Sequence, residues 1–405
     1  MLPRPARRVR CEVIELFVAA ARERAPGERR VALVPDTVAA LVRQGYQVGV
    51  EAGAGAAAHL TDGAYREAGA DVADDVGRLV ERADVLVSVG LPDADTVGPL
   101  RPGRLLVGLL APVTRPERMA ELAAQGLTAF SLDAMPRVTR AQSMDVLSAM
   151  STVACYRAAI LGAEYAGRFL SLLMTAAGTV PPARVLVLGA GVAGLQAVAT
   201  ARRLGAVVEA FDARPAVKEQ VESLGASFLA PPGLTAEGSG GYARSLAADE
   251  EAREREFLAA PVAQADVVIA TAMVPGMKAP TLIDEAMVSA MRPGSVIVDV
   301  AAAAGGNCAL TAPGERIVTA GGVTIEGATD LVSQMALPAS QLMSRNLLAF
   351  LRLLWQEGLG EHQEGEDAAA ALRLGDEILS ATLICHGGSV VHEPTLDRLA
   401  AASAR

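Results

Sequence analysis

Short runs of β-branched and aliphatic residues recur along the chain, separated by segments whose apolar positions return at helical spacing. The runs span 13–18, 47–51, 84–89, 104–110 and 127–132, then 184–188, 207–211, 266–270 and 295–300. Segments such as 36–44 and 117–125 read as amphipathic helices between them. Strands alternating with helices specify parallel sheets covered on both faces. RVLVLG (184–189) and SVIVDV (295–300) are apolar at nearly every position, as central strands buried on both faces should be.

The alternation occurs twice. Between the halves lies 144–173, rich in Ala and Met, which reads as one or two helices crossing from a first domain to a second. Gly178, Pro181 and Pro182 end it. A second long helical pattern, 340–356, returns the chain to the first domain. The expected fold is therefore α/β: two Rossmann-like domains with parallel sheets, linked by long helices, with a cleft between them. The first domain is discontinuous, 1–143 plus 340–405, and the second covers 144–339. The tail 369–392 reads as a helix and then a strand pair around Gly387–Gly388, with 357–366 as a linker.

Charge and composition narrow the partners. A formal net charge of -10 over 405 residues argues against nucleic acid or an anionic membrane, and 3% aromatic residues leave no stacking platform. Cys11, Cys155, Cys308 and Cys385 are scattered without metal-ligand spacing, so reduced thiols and no metal site are expected. The basic N-terminus (Arg4, Arg7, Arg8, Arg10) precedes an apolar stretch broken by Glu12 and Glu15, unlike a signal peptide. The stretch 158–180 contains Glu164 and Arg168 and reads as a buried helix rather than a membrane span. A cytoplasmic protein without direct membrane insertion is expected. Lys218 and Lys278 are the only lysines, and there are four histidines, so any chemistry must work with few proton shuttles.

The most informative segment is 184–212. A buried strand runs into Gly189-x-Gly191-x-x-Gly194, and a helix follows. Gly189 permits the tight turn, Gly191 lets a pyrophosphate approach the backbone of Ala190 and Val192, and Gly194 allows close helix–strand packing. Phosphates are favoured at such a helix N-terminus by unpaired N–H groups and the dipole. A second strand ends at Asp212, where an acid can bind the adenosine ribose and repel a 2′-phosphate. NAD(H) is thus expected over NADP(H), although Arg214 could accommodate that phosphate. The first half contains no such fingerprint and reads as a cap domain. Asn307, after Gly305-Gly306, follows a strand's carboxyl end and is a candidate cofactor contact.

Several strings go beyond a generic dinucleotide fold: ERRVALVPDTV (28–38), PRVTRAQSMDVLS (136–148), FDARPAVKEQVESLGA (211–226), GSGGYA (238–243) and PGSVIVDVAAAAGGNC (293–308). With the fingerprint, they resemble the NAD(H)-binding component of proton-translocating nicotinamide nucleotide transhydrogenase, and more distantly alanine dehydrogenase. The resemblance implies that Arg137, Asp145 and Ser148 hold the nicotinamide carboxamide and neighbouring ribose-phosphate. By the same resemblance Gln142 reaches toward a nicotinamide on a partner, and Tyr242 lies on a loop closing over the nucleotide. It further implies a homodimer, a separate membrane-spanning subunit and a separate NADP(H)-binding subunit. The chain departs from the family pattern at Ala303, Ala304 and Val332.

The residue inventory separates the two relatives. By resemblance, alanine dehydrogenase needs a first-domain lysine and histidine for its keto-acid. Here Ser88 and Gly90 stand where lysines are expected, and LLVGLLAP (105–112) has no histidine. Hydride transfer between two nicotinamides needs proximity and alignment rather than an acid or base. Re/Si-specific transhydrogenation is the expected activity. A stand-alone dehydrogenase or imino-acid reductase, and a non-catalytic NAD-binding paralogue, remain alternatives.

Overall fold

The computed structural model describes residues 16–231, 247–273, 278–361 and 368–403. The chain divides into two compact units, Met1–Val146 with Ser340–Arg405, and Leu147–Ala339.

The first unit begins with β1 (Phe17–Ala20), β2 (Gln47–Glu51), β3 (Asp71–Ala73), β4 (Val85–Gly90), β5 (Leu105–Leu109) and β6 (Thr128–Ser131). The second contains the hairpin β7 (Leu173–Thr175) and β8 (Gly178–Val180), then β9 (Arg184–Leu188), β10 (Val207–Phe211) and β11 (Ser227–Leu229). It continues with β12 (Val267–Ala270), β13 (Val296–Asp299), β14 (Arg316–Val318) and β15 (Thr324–Glu326). The first unit resumes with β16 (Leu383–His386) and β17 (Ser389–Val390).

In the first unit the strand order is β17-β16-β6-β5-β4-β1-β2-β3; β1 to β6 are parallel, and β16 joins β6 antiparallel. Helix Pro35–Arg43 starts on a proline whose missing N–H costs nothing at that position, and it buries Val38 and Leu41. Helix Pro116–Ala124 repeats the device and buries Met119 and Leu122. The long helix Ala336–Gln356 is held in this unit by buried serines. Val31 N–H donates to Ser340 Oγ and Val34 N–H to Ser344 Oγ, each at 3.0 Å. Phe350 meets Phe130 edge-on at 5.6 Å between ring centres.

The second unit's sheet runs β11-β10-β9-β12-β13-β15-β14, parallel except for the edge strand β14. Helix Val146–Tyr165 packs Cys155, Ala158 and Leu161 into this unit's core. Gly162 lets it settle on β12, since a Cβ there would lie 2.6 Å from Val267 Cγ1. By length and composition this helix could cross a membrane, but half of its apolar window is buried inside the structure.

Two expectations shift. The opening strand is Phe17–Ala20 rather than 13–18, with residues up to 15 outside the described set. Ala19 and Ala20 are fully buried between β2 and β4, where their small size suits the close packing but hides the strand from a hydrophobicity pattern. The helix expected over 144–173 ends at Tyr165. Residues 173–180 instead fold as the hairpin, turning at Gly178 with φ +132°. Among the described residues Cys155, Cys308 and Cys385 are buried free thiols; Cys11 lies outside that set.

Candidate functional site

The glycine turn between β9 and helix Val192–Arg203 is built for a ligand rather than for packing alone. Gly189 has φ +90°, and a Cβ there would strike Thr271 Oγ1 at 2.8 Å. Gly194 is still tighter: a Cβ would come within 1.8 Å of the Gly189 carbonyl oxygen. Gly191 differs from both, because a Cβ there would meet only Arg214 Nη2 at 3.6 Å. Gly191 is also the helix N-cap, and it offers no side chain to the first-turn N–H groups. The turn thus presents backbone donors at an open glycine, which fits a pyrophosphate. Ala190 and Val192 flank that glycine, Ala190 fully buried and Val192 half exposed.

Thr271, just past β12, pins the turn from the neighbouring strand. Its hydroxyl donates to the carbonyls of Leu188 and Gly189 at 3.2 and 3.0 Å. No sequence motif marks it, because its role exists only once β9 and β12 lie side by side.

Asp212, following β10, is buried and takes four donors. Oδ2 accepts from Ala190 N–H and Arg214 Nη2, both at 2.8 Å. Oδ1 accepts from the Arg214 backbone N–H and Nε, both at 2.9 Å. A carboxylate has about four lone-pair sites, so this one is saturated. Asp212 therefore clamps the glycine turn to the second strand and is charge-balanced by Arg214. Glu254, on helix Ala248–Gln264, is a second acid in reach of Asp212's field. Burial pushes its carboxyl up to about 7, and Glu251 and Asp212 add to the shift. Glu254 gives no signal in the sequence because it sits in a run of charged residues that looks like a solvated helix face.

Asp299 ends β13 and organises the segment after it. Its fully buried carboxylate accepts from the backbone N–H groups of Ala301, Asn307 and Cys308 and from Thr311 Oγ1. Burial raises its pKa, and these four donors act against the rise. Gly306, at φ +78°, makes this approach feasible, since a Cβ would lie 2.8 Å from Asp299 Oδ2. Asn307 is itself fully buried. Its Nδ2 donates to the carbonyls of Ala272 and Pro280, each at 2.8 Å, so it ties together the chain on both sides of 274–277. Its Oδ1 has no hydrogen-bond partner among the described residues.

In the first unit, residues 139–144 form a 3-10 turn with Ala141 and Met144 buried and Gln142 exposed on the other side. The turn is fixed at two points. Asn346 Nδ2 donates to the Ser143 carbonyl at 2.8 Å, and Arg140 pairs with Asp376 at 2.6 Å. Arg137 is exposed and Asp145, closing the turn, is half-buried. Ser148 is half-buried on the first turn of helix Val146–Tyr165. Tyr242 lies outside the described residues. No group of three or more potential metal ligands occurs among the described residues.

These two constellations coincide with known sequence families. The alanine dehydrogenase/PNT N-terminal domain matches residues 19–154, and the alanine dehydrogenase/PNT C-terminal domain matches 158–393. The chain belongs to the alanine dehydrogenase/PNT family. Within it, the chain is 44% identical over 383 residues to an NAD(P) transhydrogenase alpha subunit of Rhodospirillum rubrum, covering 93% of this chain and 97% of that protein. A solved transhydrogenase structure from Sinorhizobium meliloti superimposes with a TM-score of 0.80 at 40% identity, over 93% of this chain and 99% of that one. L-alanine dehydrogenase superimposes with a TM-score of 0.77 at 26% identity, over 95% and 99% of the two chains. The α/β architecture with parallel-dominated sheets in two units is thus that of the alanine dehydrogenase/PNT family.

Proposed function

We propose that this chain is the NAD(H)-binding component of a proton-translocating, Re/Si-specific NAD(P) transhydrogenase. The observation that supports this reading most is the open Gly191 turn clamped to Asp212, in a chain similar over nearly its whole length to a transhydrogenase alpha subunit. The backbone of 189–194 holds the pyrophosphate, and Asp212 reads the adenosine ribose by exchanging guanidinium donors of Arg214 for ribose hydroxyls. Arg137, Asp145 and Ser148 orient the carboxamide end, and Tyr242 contributes to the nucleotide site. Asn307 positions Ala272 and Pro280 through their carbonyls. When bound, NADH supplies a hydride to NADP⁺ held on a partner subunit.

This chain's task is orientation, which needs an amide, an acid, a hydroxyl and an arginine but no proton shuttle. Gln142 suits that task because it projects into solvent from a turn fixed by Asn346 and Arg140. In this reading the protein is a cytoplasmic homodimer that acts peripherally at the membrane, with NADP(H) binding and proton movement in separate subunits. The test mixes it with a purified NADP(H)-binding transhydrogenase component and follows NADH-dependent reduction of an NADP⁺ analogue. Turnover is expected, falling by about 100-fold, the scale of a lost orienting contact, in Gln142→Ala or Asp145→Ala. No turnover with the wild type, or full turnover in both variants, would overturn the reading. So would substrate-dependent NADH oxidation without any partner.

A further inference from the structure

The charge of Asp212 cannot by itself select one dinucleotide over the other. Arg214 pairs with it at 2.8 Å, so the two together carry no net charge. When Asp212 exchanges guanidinium donors for ribose hydroxyls, Arg214 stands beside the sugar with the sign that attracts a 2′-phosphate. An NAD(H) site built this way needs a further anion that acts against that phosphate.

Helix Ala248–Gln264 brings one to the same strand end. It lies between β11 and β12, two parallel strands of one sheet, so it runs back against them and its first turns lie beyond their carboxyl ends. Its sheet-facing stripe is apolar further along. Phe257 meets Phe211 with ring centres 6.3 Å apart, and Leu258 and Val262 are fully buried in the core cluster that contains Phe211. Glu254 stands three residues before Phe257 and four before Leu258, so it lies on that same stripe, one turn nearer the helix start. Asp212, the residue after Phe211, is the group whose field it meets there.

A carboxyl on a core-facing stripe is costly unless it is paired. Glu254 is 6% exposed, yet it makes no hydrogen bond or ion pair among the described residues. Its charged neighbours do not supply one. Asp212 repels it from the end of β10, and Glu251 repels it along its own helix. Arg255 attracts it, but that arginine pairs with Glu251 at 3.7 Å. The start of the helix is acidic overall, with Asp249, Glu250, Glu251, Glu254 and Glu256 against Arg253 and Arg255. An apolar side chain would suit the packing better, so the acid has a use outside it.

We propose that Glu254 sets the preference of this site for NAD(H), by holding a carboxylate without an ion-pair partner against the 2′-phosphate of NADP(H). The inference rests on the reading of the 189–194 turn as a nucleotide site, and it moves the discriminating charge from Asp212 to Glu254. Like charges brought together in a buried site repel more strongly than in water, because the local dielectric is lower.

Calorimetric titrations of the full chain with NADH and with NADPH test this. They are run at pH 8, above the value of about 7 to which burial pushes the Glu254 carboxyl, so that it is ionised. The ratio of the NADPH to the NADH dissociation constant should be at least about 100 in the wild type and fall at least about tenfold in Glu254→Gln. Glu254→Met removes the charge with a side chain suited to the stripe and should narrow the ratio likewise, so the test does not depend on one variant's folding. Glu254→Asp keeps the charge and should retain more of the discrimination than either. A purely structural role would weaken both nucleotides alike and leave the ratio where it was. An unchanged ratio in the neutral variants, or a wild type that binds both nucleotides equally, overturns the assignment while NADH binding leaves the site reading standing. A wild type that binds neither nucleotide overturns the site reading, and the assignment with it.

Discussion

Arg214 grips Asp212 with three of its own N–H groups, two from the guanidinium and one from the backbone, while Ala190 supplies the fourth donor to the same carboxylate. The acid that terminates the fingerprint is thereby a structural clamp, and to read a ribose it must exchange guanidinium donors for the sugar's hydroxyls. Asp212→Asn keeps the shape but removes the charge, leaving Arg214 facing an amide in a half-buried site. A loss of about 2–3 kcal/mol of stability is expected, because one partner of a largely buried ion pair stays uncompensated. NADH affinity should fall at least about tenfold, the scale of a lost charged hydrogen bond. Denaturant unfolding and NADH calorimetry on the one variant check both; unchanged stability would mean the clamp contributes nothing to the fold.

Gly191 and Gly194 separate binding from folding. Gly194→Ala places a methyl group 1.8 Å from the Gly189 carbonyl, so the helix must move away from β9. That variant should lose about 3 kcal/mol or more of stability, and its NADH binding with it. Gly191→Ala meets only the end of Arg214 at 3.6 Å. It should fold with wild-type stability and still fail to bind NADH, because the added methyl occupies the pyrophosphate's approach. Comparable unfolding curves for the two variants would contradict this division.

Much of this frame was readable from the residues alone. Gln47–Glu51, Arg184–Leu188 and Val207–Phe211 fall where the apolar runs placed them, since a strand whose middle is buried on both faces leaves a mainly apolar stretch. β3, β11, β14 and β15 left no such trace: each is three residues long, too short for periodicity to register. The glycine turn was legible because glycine spacing encodes backbone geometry directly. Thr271, Asp299 and the saturation of Asp212 were not, because each depends on groups brought together across strands. Asn307 illustrates the limit well. The GGN run marks it, but only the fold shows its amide directed at the carbonyls of Ala272 and Pro280.

Glu23 should leave a pH signature. Its carboxyl is raised from the ordinary 4.5 to about 7, chiefly by burial. Between those values the folded chain holds a proton that the unfolded chain has released. This group's contribution to stability is therefore full below about 4.5 and is lost as pH rises toward about 7, levelling off above it. The whole effect is at most about 3 kcal/mol. Other carboxylates titrate in the same range, so the useful quantity is the difference from Glu23→Gln, which stays neutral throughout. Urea midpoints for the two proteins should diverge in the variant's favour as pH rises from about 5 to about 7.5, the span that brackets the raised pKa. Parallel curves would show that Glu23 is already ionised at the lower end.

Asn307 provides the sharpest test of a buried amide. Both donors on its Nδ2 are used, one toward each side of 274–277, and Asp299 binds its backbone N–H at 2.7 Å. Asn307→Asp would turn two donors into an acceptor facing two carbonyl oxygens beside an already buried acid. Either the new carboxyl stays protonated, or the segments around Ala272 and Pro280 separate. A destabilisation of about 2–4 kcal/mol is expected, from two lost hydrogen bonds and an unsatisfied buried group. Part of it should be recovered at low pH, where the carboxyl is protonated and regains one donor. Asn307→Leu removes the same bonds without adding a charge, so it should be destabilised but insensitive to pH. If the two variants respond to pH alike, the amide is not the tie that the geometry indicates.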